Sequence, residues 1–289
     1  MEEKTKAKIK KIHVIIYLLL TILMVLSLMY VINFFSLKQE AKEQSNLLST
    51  INVYEKETTK EATQNILESG EENVQTKVEQ NGETISTENT IEQNKETERM
   101  LQVKELQGQN ADIVGWLEIE NTNINYPVLQ GTDNRYYMTH NYKKEKSKNG
   151  SIFLDANYNW NIPNNNLLIY GHNLGNGMMF QELLKYEKKS FYQEHPVIRF
   201  TTAKEDDQYE IISVFKSRVY YKSEKNVFRY YYFINNKSEE EYNQFVKNAK
   251  NASLYPIDAT ANYGDQLITL STCAYYVEDG RFVVVGRRK

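Results

Sequence analysis

The sequence predicts a mainly β domain, a barrel or a sandwich, carried behind an apolar N-terminal helix and a polar spacer. Three observations lead there. From about residue 98 onward, some eight short runs rich in Ile, Val, Tyr and Phe are separated by Asn, Gly and Asp clusters. Val14 to Phe35 is a charge-free run of 22 residues in which only Thr21, Ser27 and Asn33 are clearly polar. Residues 38–100 hold fourteen Glu against seven Lys or Arg, and Tyr54 is their only aromatic.

Taken in order, residues 14–35 are long enough to cross the hydrocarbon core of a bilayer as a helix. A cleaved signal peptide fits less well, because its apolar core is shorter and a small-residue cleavage site should follow, whereas this run ends Asn33-Phe34-Phe35-Ser36-Leu37. Residues 1–37 carry a net charge of +3, with all five lysines before the span. The positive-inside rule then places 1–13 in the cytoplasm and everything after the span outside the cell membrane. Residues 36–97 lack the apolar surface needed to offset chain entropy and read as a disordered linker, spanning on the order of 45 Å root-mean-square.

A compact domain is expected over 98–289. Met100, Val103 and Leu106 form a short helical stripe that ends at Asn110–Asp112. Strands are expected at roughly 115–120, 123–129, 151–156, 167–171, 197–202, 208–220, 267–273 and 281–287. Two helices interrupt them. Met178–Gln193 carries Met179, Leu183, Leu184, Tyr186 and Phe191 around one helix, and Ser238 caps a second whose Glu239-Glu240-Glu241 favour the helix dipole.

Composition removes several function classes. Residues 101–289 have a net charge of +1, which gives no footprint for nucleic acid. One cysteine in 289 residues excludes an internal disulfide and a multi-thiolate zinc site. His13, His140, His172 and His195 are too dispersed for a metal-ligand spacing, so no metal and no cofactor are expected.

The lone thiol, Cys273, ends the apolar run Leu267–Cys273. A second run, Arg281–Val285, follows a connection containing the turn signal Asp279-Gly280, so the two read as a hairpin with Cys273 and Arg281 at one end. A thiol becomes a nucleophile beside a base or a cation. His172 is the base best placed, where the strand Leu167–Gly171 runs into a loop rich in Gly and Asn. His195 at a helix-to-strand turn reads as structural, His140 as solvated, and His13 as a membrane flank.

Together these segments resemble a family. Thr269-Leu270-Ser271-Thr272-Cys273 with Arg281 downstream and Tyr170-Gly171-His172-Asn173 upstream is similar to a sortase, a membrane-anchored cysteine transpeptidase of Gram-positive bacteria. Asn110–Leu117, Tyr126-Pro127-Val128, Gly150–Asp155, Met179-Phe180 and the helix near 238–250 resemble class B. The resemblance covers about 98–289 and the anchor. It implies an eight-stranded closed β-barrel with an N-terminal helix and two additional helices. It further implies cleavage of a C-terminal sorting signal on secreted proteins after Thr, through a thioester on Cys273, and transfer to a peptidoglycan precursor amine. His172 would serve as acid and base, and Arg281 as carbonyl clamp and oxyanion donor. Ser271, Thr272, Tyr220 and Tyr221 are candidates for the substrate groove, with Tyr230, Tyr231 and Tyr232 nearby. Where some class B members carry Asp two residues after the Cys, this chain has Tyr275, which favours a Cys-His-Arg set. The alternatives are a sortase-like pilin polymerase and a non-catalytic, membrane-tethered wall-binding module.

Overall fold

The protein is described by a computed structural model. It covers residues 2–68, 87–162 and 166–289, of which 2–12, 48–68 and 87–97 are described as backbone alone. Among the described residues eight strands close into a barrel: β1 (Ile113–Glu118), β2 (Asn125–Leu129), β3 (Ile152–Leu154), β4 (Asn166–Gly171), β5 (Val197–Thr201), β6 (Asp206–Arg218), β7 (Leu267–Cys273) and β8 (Gly280–Arg288). Their order around the barrel is β1-β2-β3-β4-β7-β8-β6-β5, and β5 returns to β1. Barrel and sandwich, both open from the strand pattern, are thereby resolved in favour of the barrel.

Most neighbours run antiparallel, but β2 with β3 and β4 with β7 are parallel. Parallel pairing needs a long crossover. Between β4 and β7 that crossover contains β5, β6 and both domain helices. One of these, α4 (Glu239–Ala252), forms as its sequence dictates: Ser238 accepts the amide of Glu241, and Tyr242, Phe245, Val246 and Ala249 are buried.

The single helix expected over 178–193 is instead a 3₁₀ segment, Gln181–Glu187, followed by α3 (Lys189–Glu194). Lys188 between them is extended, at φ −95° and ψ 126°. The break brings Tyr186 and Phe191 edge to face with ring centroids 4.8 Å apart, an arrangement that offsets the lost helical turn.

One helix, α1 (Glu2–Glu68), continues through the apolar run, and α2 (Thr87–Gln109) leads into the domain. Residues 36–68 and 87–97, within the segment read as a linker, are helical; 69–86 lie outside the described residues. Glu, Gln, Lys and Leu are good helix formers, and a helix already nucleated in the apolar run propagates without needing a buried stripe. A helix segment long and apolar enough to span a membrane covers His13–Leu47. At the domain end, Val103 and Leu106 of α2 are fully buried against Ile113, Trp116 and Leu129.

Candidate active site

Two strand pairings assemble the site. Parallel pairing of β4 with β7 aligns Tyr170 with Ser271 and Gly171 with Thr272, so the next residues along the two chains are His172 and Cys273. Adjacent strands lie about 4.8 Å apart, which sets the spacing of those two backbones. Thr272 Oγ1 donates to the Gly171 carbonyl at 2.8 Å and Asn173 Nδ2 to the Cys273 carbonyl at 3.0 Å, pinning both strand ends. Antiparallel pairing of β7 with β8 then sets Arg281 directly opposite Cys273. In the turn between them Gly280 is required, because a Cβ there would lie 2.1 Å from the Ala274 carbonyl oxygen.

All three side chains line one cleft of about 250 Å³. Cys273 is free and partly exposed. The His172 Nε2 lies 2.7 Å from the Met138 carbonyl oxygen. A carbonyl only accepts, so that nitrogen carries a proton and faces away from exchange, which falls to Nδ1. Arg281 donates Nη1 to the carbonyls of Asp279 and Gly280, at 3.1 and 2.9 Å. A planar guanidinium held through one nitrogen keeps its other N–H groups for an incoming carbonyl or carboxylate. Chemically, a thiol, a proton-exchanging imidazole and a fixed cation around one cleft is the equipment of nucleophilic acyl transfer.

Residues 117–289 match the family described as Sortase domain. The chain belongs to the sortase family. Its relatives include sortase B of Listeria monocytogenes, 35% identical over 190 residues that cover 64% of this chain and 73% of the relative. Sortase B of Staphylococcus aureus is 34% identical over 188 residues, 64% of this chain and 74% of that protein. The crystal structure of S. aureus sortase B superposes with a TM-score of 0.59 at 31% identity, covering 69% of this chain and 96% of that one. The chain is thus a class B sortase, and sortases are transpeptidases.

In this sortase the residues singled out by sequence divide into two sets. Cys273, His172, Arg281, Ser271 and Thr272 all line the cleft. Ser271 and Thr272 are buried, however, and their hydroxyls already bond Tyr230 and Gly171. Tyr220 and Tyr221 lie outside the lining. The Tyr220 ring packs under the Arg218 guanidinium, 4.8 Å from its centroid, and Tyr221 is exposed. Val219, Tyr230 and Tyr231 take the wall positions instead. Burial pushes the Tyr230 hydroxyl well above the usual range, so it stays a neutral bridge to Ser271 at 2.7 Å. Among the described residues no group of three or more His, Cys, Asp or Glu could hold a metal ion.

Sequence reasoning missed a polar cluster lining the cleft. Asn134 and Tyr170 face the cleft, and both bond the buried Asp155 carboxyl, at 2.8 and 3.0 Å. Asn134 also accepts the Ala156 amide through Oδ1, which fixes its amide orientation. Burial, and then the Asp155 charge, raise the Tyr170 hydroxyl far above its ordinary value, so it remains a donor. Asp155 stood inside the quoted Gly150–Asp155 segment, but nothing in a linear pattern signals its partners.

Gly171 is needed for close approach beside His172. A Cβ there would lie 2.4 Å from Ile152 Cδ1 and 2.6 Å from Phe180. Gly171→Ala is expected to destabilise the domain by about 1–3 kcal/mol, the cost of overpacking a filled core. Urea unfolding measures this. A midpoint unchanged from wild type would show that Ile152 and Phe180 yield freely.

Proposed function

We propose that this class B sortase cleaves a C-terminal sorting signal of secreted proteins after Thr and transfers the protein to an amine of a peptidoglycan precursor. The observation that supports this most is the convergence of Cys273, His172 and Arg281 on one cleft. The Cys273 thiolate, whose proton has passed to His172, attacks the Thr carbonyl carbon, and the negative charge that builds on the carbonyl oxygen is met by Arg281. Collapse breaks the peptide C–N bond, His172 protonates the departing amine, and a thioester to Sγ remains. An incoming amine, deprotonated by His172, attacks that thioester, and Cys273 leaves as thiolate.

In this reading 1–13 are cytoplasmic, 14–35 span the cell membrane, 36–97 connect, and 98–289 form the catalytic domain outside it. The apolar helix segment and the lysines before it support that orientation. A test is to offer the enzyme fluorogenic peptides of Asn-Pro-Gln-Thr-Asn and Ser/Pro-Pro-x-Thr-Gly type with a glycine-based amine. Cleavage after Thr with transfer product is expected. A folded enzyme, alkylatable at Cys273, that cuts neither peptide nor any member of a wider sorting-signal library would overturn the proposal.

For Arg281, replacement by Met is expected to lower kcat/KM about 10²–10³-fold, the usual cost of removing one oxyanion donor. Lys should recover part of the loss, since it keeps the charge without the planar fork. Steady-state kinetics with the fluorogenic peptide read both. Activity within a few-fold of wild type in Arg281→Met would remove Arg281 from the mechanism.

A further inference from the structure

Contact between α1 and the barrel starts where the apolar run stops. Residues 13–33 are exposed all along the helix, whereas Phe34, Leu37, Ala41, Gln44 and Leu47 turn one face inward, with Ala41 and Gln44 completely buried. Their three- and four-residue spacing is that of a single helix face. The connection between β2 and β3 receives that face. Gln44 Nε2 donates to the Gly150 carbonyl at 3.3 Å and Asn149 Nδ2 to the Leu37 carbonyl at 2.7 Å. Lys148 Nζ reaches Asn33 Oδ1, inside the apolar run itself, at 3.4 Å.

At 1.5 Å per residue, Ala41 stands only about 9 Å beyond Phe35. That is roughly the depth of the headgroup layer on one side of a bilayer. The docked loop is therefore level with headgroups if 14–35 span the membrane. Lys143, Lys146 and Lys148 are exposed on it, with Lys38 and Lys42 exposed on the adjoining helix. Opposing charge is partly engaged. Glu40 and Glu145 both accept from Asn141, Glu43 lies near Lys143, and Lys144 pairs with Asp112 at 2.9 Å. Five exposed ammonium groups on flexible stems at headgroup depth match the chemistry of anionic lipid phosphates.

We infer that the lysine loop, residues 143–148, together with Lys38 and Lys42, forms a membrane-contact surface for anionic phospholipid headgroups. The inference rests on reading 14–35 as a span. It holds the catalytic domain against the bilayer at the near end of the 36–97 segment, not at its far end. It also ties the cleft to that surface, because the same β2–β3 connection carries the Met138 carbonyl that accepts the His172 Nε2–H hydrogen bond.

The test uses the full chain with Cys273→Ser and a single environment-sensitive fluorophore on Lys146→Cys, Ser36→Cys or Lys247→Cys. Lys247 is exposed on α4, which packs on β6, away from the loop. Each protein is reconstituted in phosphatidylcholine vesicles, with or without phosphatidylglycerol, that contain a headgroup spin-labelled lipid as quencher. Quenching at 36 in both compositions is expected from the span. At 146, quenching in the anionic vesicles should exceed that at 247 by roughly twofold or more, and the excess should shrink in zwitterionic vesicles, at high salt and in Lys143→Gln/Lys148→Gln. Equal quenching at 146 and 247, or an excess at 146 indifferent to lipid charge, overturns the membrane-contact surface while the span stands. Absence of quenching at 36 overturns both.

Discussion

Cys273→Ala is expected to abolish both cleavage of a sorting peptide and transfer to an amine, a loss of about 10⁴-fold or more, as for other enzymes stripped of their covalent nucleophile. The sulfur cannot be replaced by its neighbours. The hydroxyls of Ser271 and Thr272 line the same cleft, yet each is buried in a hydrogen bond. Ser in place of Cys offers a weaker nucleophile whose activation the site is not built to supply, so Cys273→Ser should be nearly as inactive. The measurement is mass spectrometry of the enzyme mixed with peptide and quenched in acid. Wild type should carry an adduct equal to the acyl fragment, and both variants none. A methanethiosulfonate reagent should label wild type alone, since this is the chain's one thiol and it is partly exposed. Transfer by Cys273→Ala above about a hundredth of the wild-type rate would refute covalent catalysis at this residue and return the wall-binding module to consideration.

Why could the pairing of Cys273 with Arg281 be read from sequence, while the placement of His172 beside them could not? The β7–β8 hairpin is local. Asp279-Gly280 marks its turn, the short connection fixes its register, and Cys273 falls opposite Arg281 in the structure as the hairpin requires. His172 meets Cys273 through the parallel pairing of β4 with β7 across a hundred residues. Such pairing has no turn and leaves no linear trace. Its position at a strand end in a Gly- and Asn-rich loop was readable, but its neighbour was not. The eight strands were legible because each is a short apolar run between breakers.

Other features were hidden for definable reasons. Asp155 binds Asn134 and Tyr170 by hydrogen bonds between distant segments, which have no periodicity. The break at Lys188 keeps the apolar positions of a helix while abandoning its geometry. The docked face of α1 escaped because Phe34, Leu37, Ala41 and Leu47 are its apolar members among mostly polar neighbours, and its most informative residue, Gln44, is polar and buried.

His172→Ala is expected to lower kcat/KM for peptide about 10²–10⁴-fold, the range for removing a general acid and base. The geometry makes the test sharper than a rate loss. With Nε2–H committed to the Met138 carbonyl, proton exchange with substrate falls to Nδ1. The acid role concerns the leaving amine, which cannot depart unprotonated. A thioester or activated aryl ester of the same acyl group leaves without a proton, so His172→Ala should process it with a much smaller deficit than it shows for the peptide. Deacylation by an amine, which needs the base, should stay slow even then. His172→Gln can still reach Met138 but exchanges no proton, and should behave like Ala. Thermal unfolding at the wild-type midpoint would confirm that the loop survives. An equal deficit for ester and peptide would assign His172 to activating or placing the Cys273 thiolate and leave the leaving-group proton to another donor. Tyr170 and Asn134, polar groups that line the cleft and are both held by Asp155, then become the next to vary and measure.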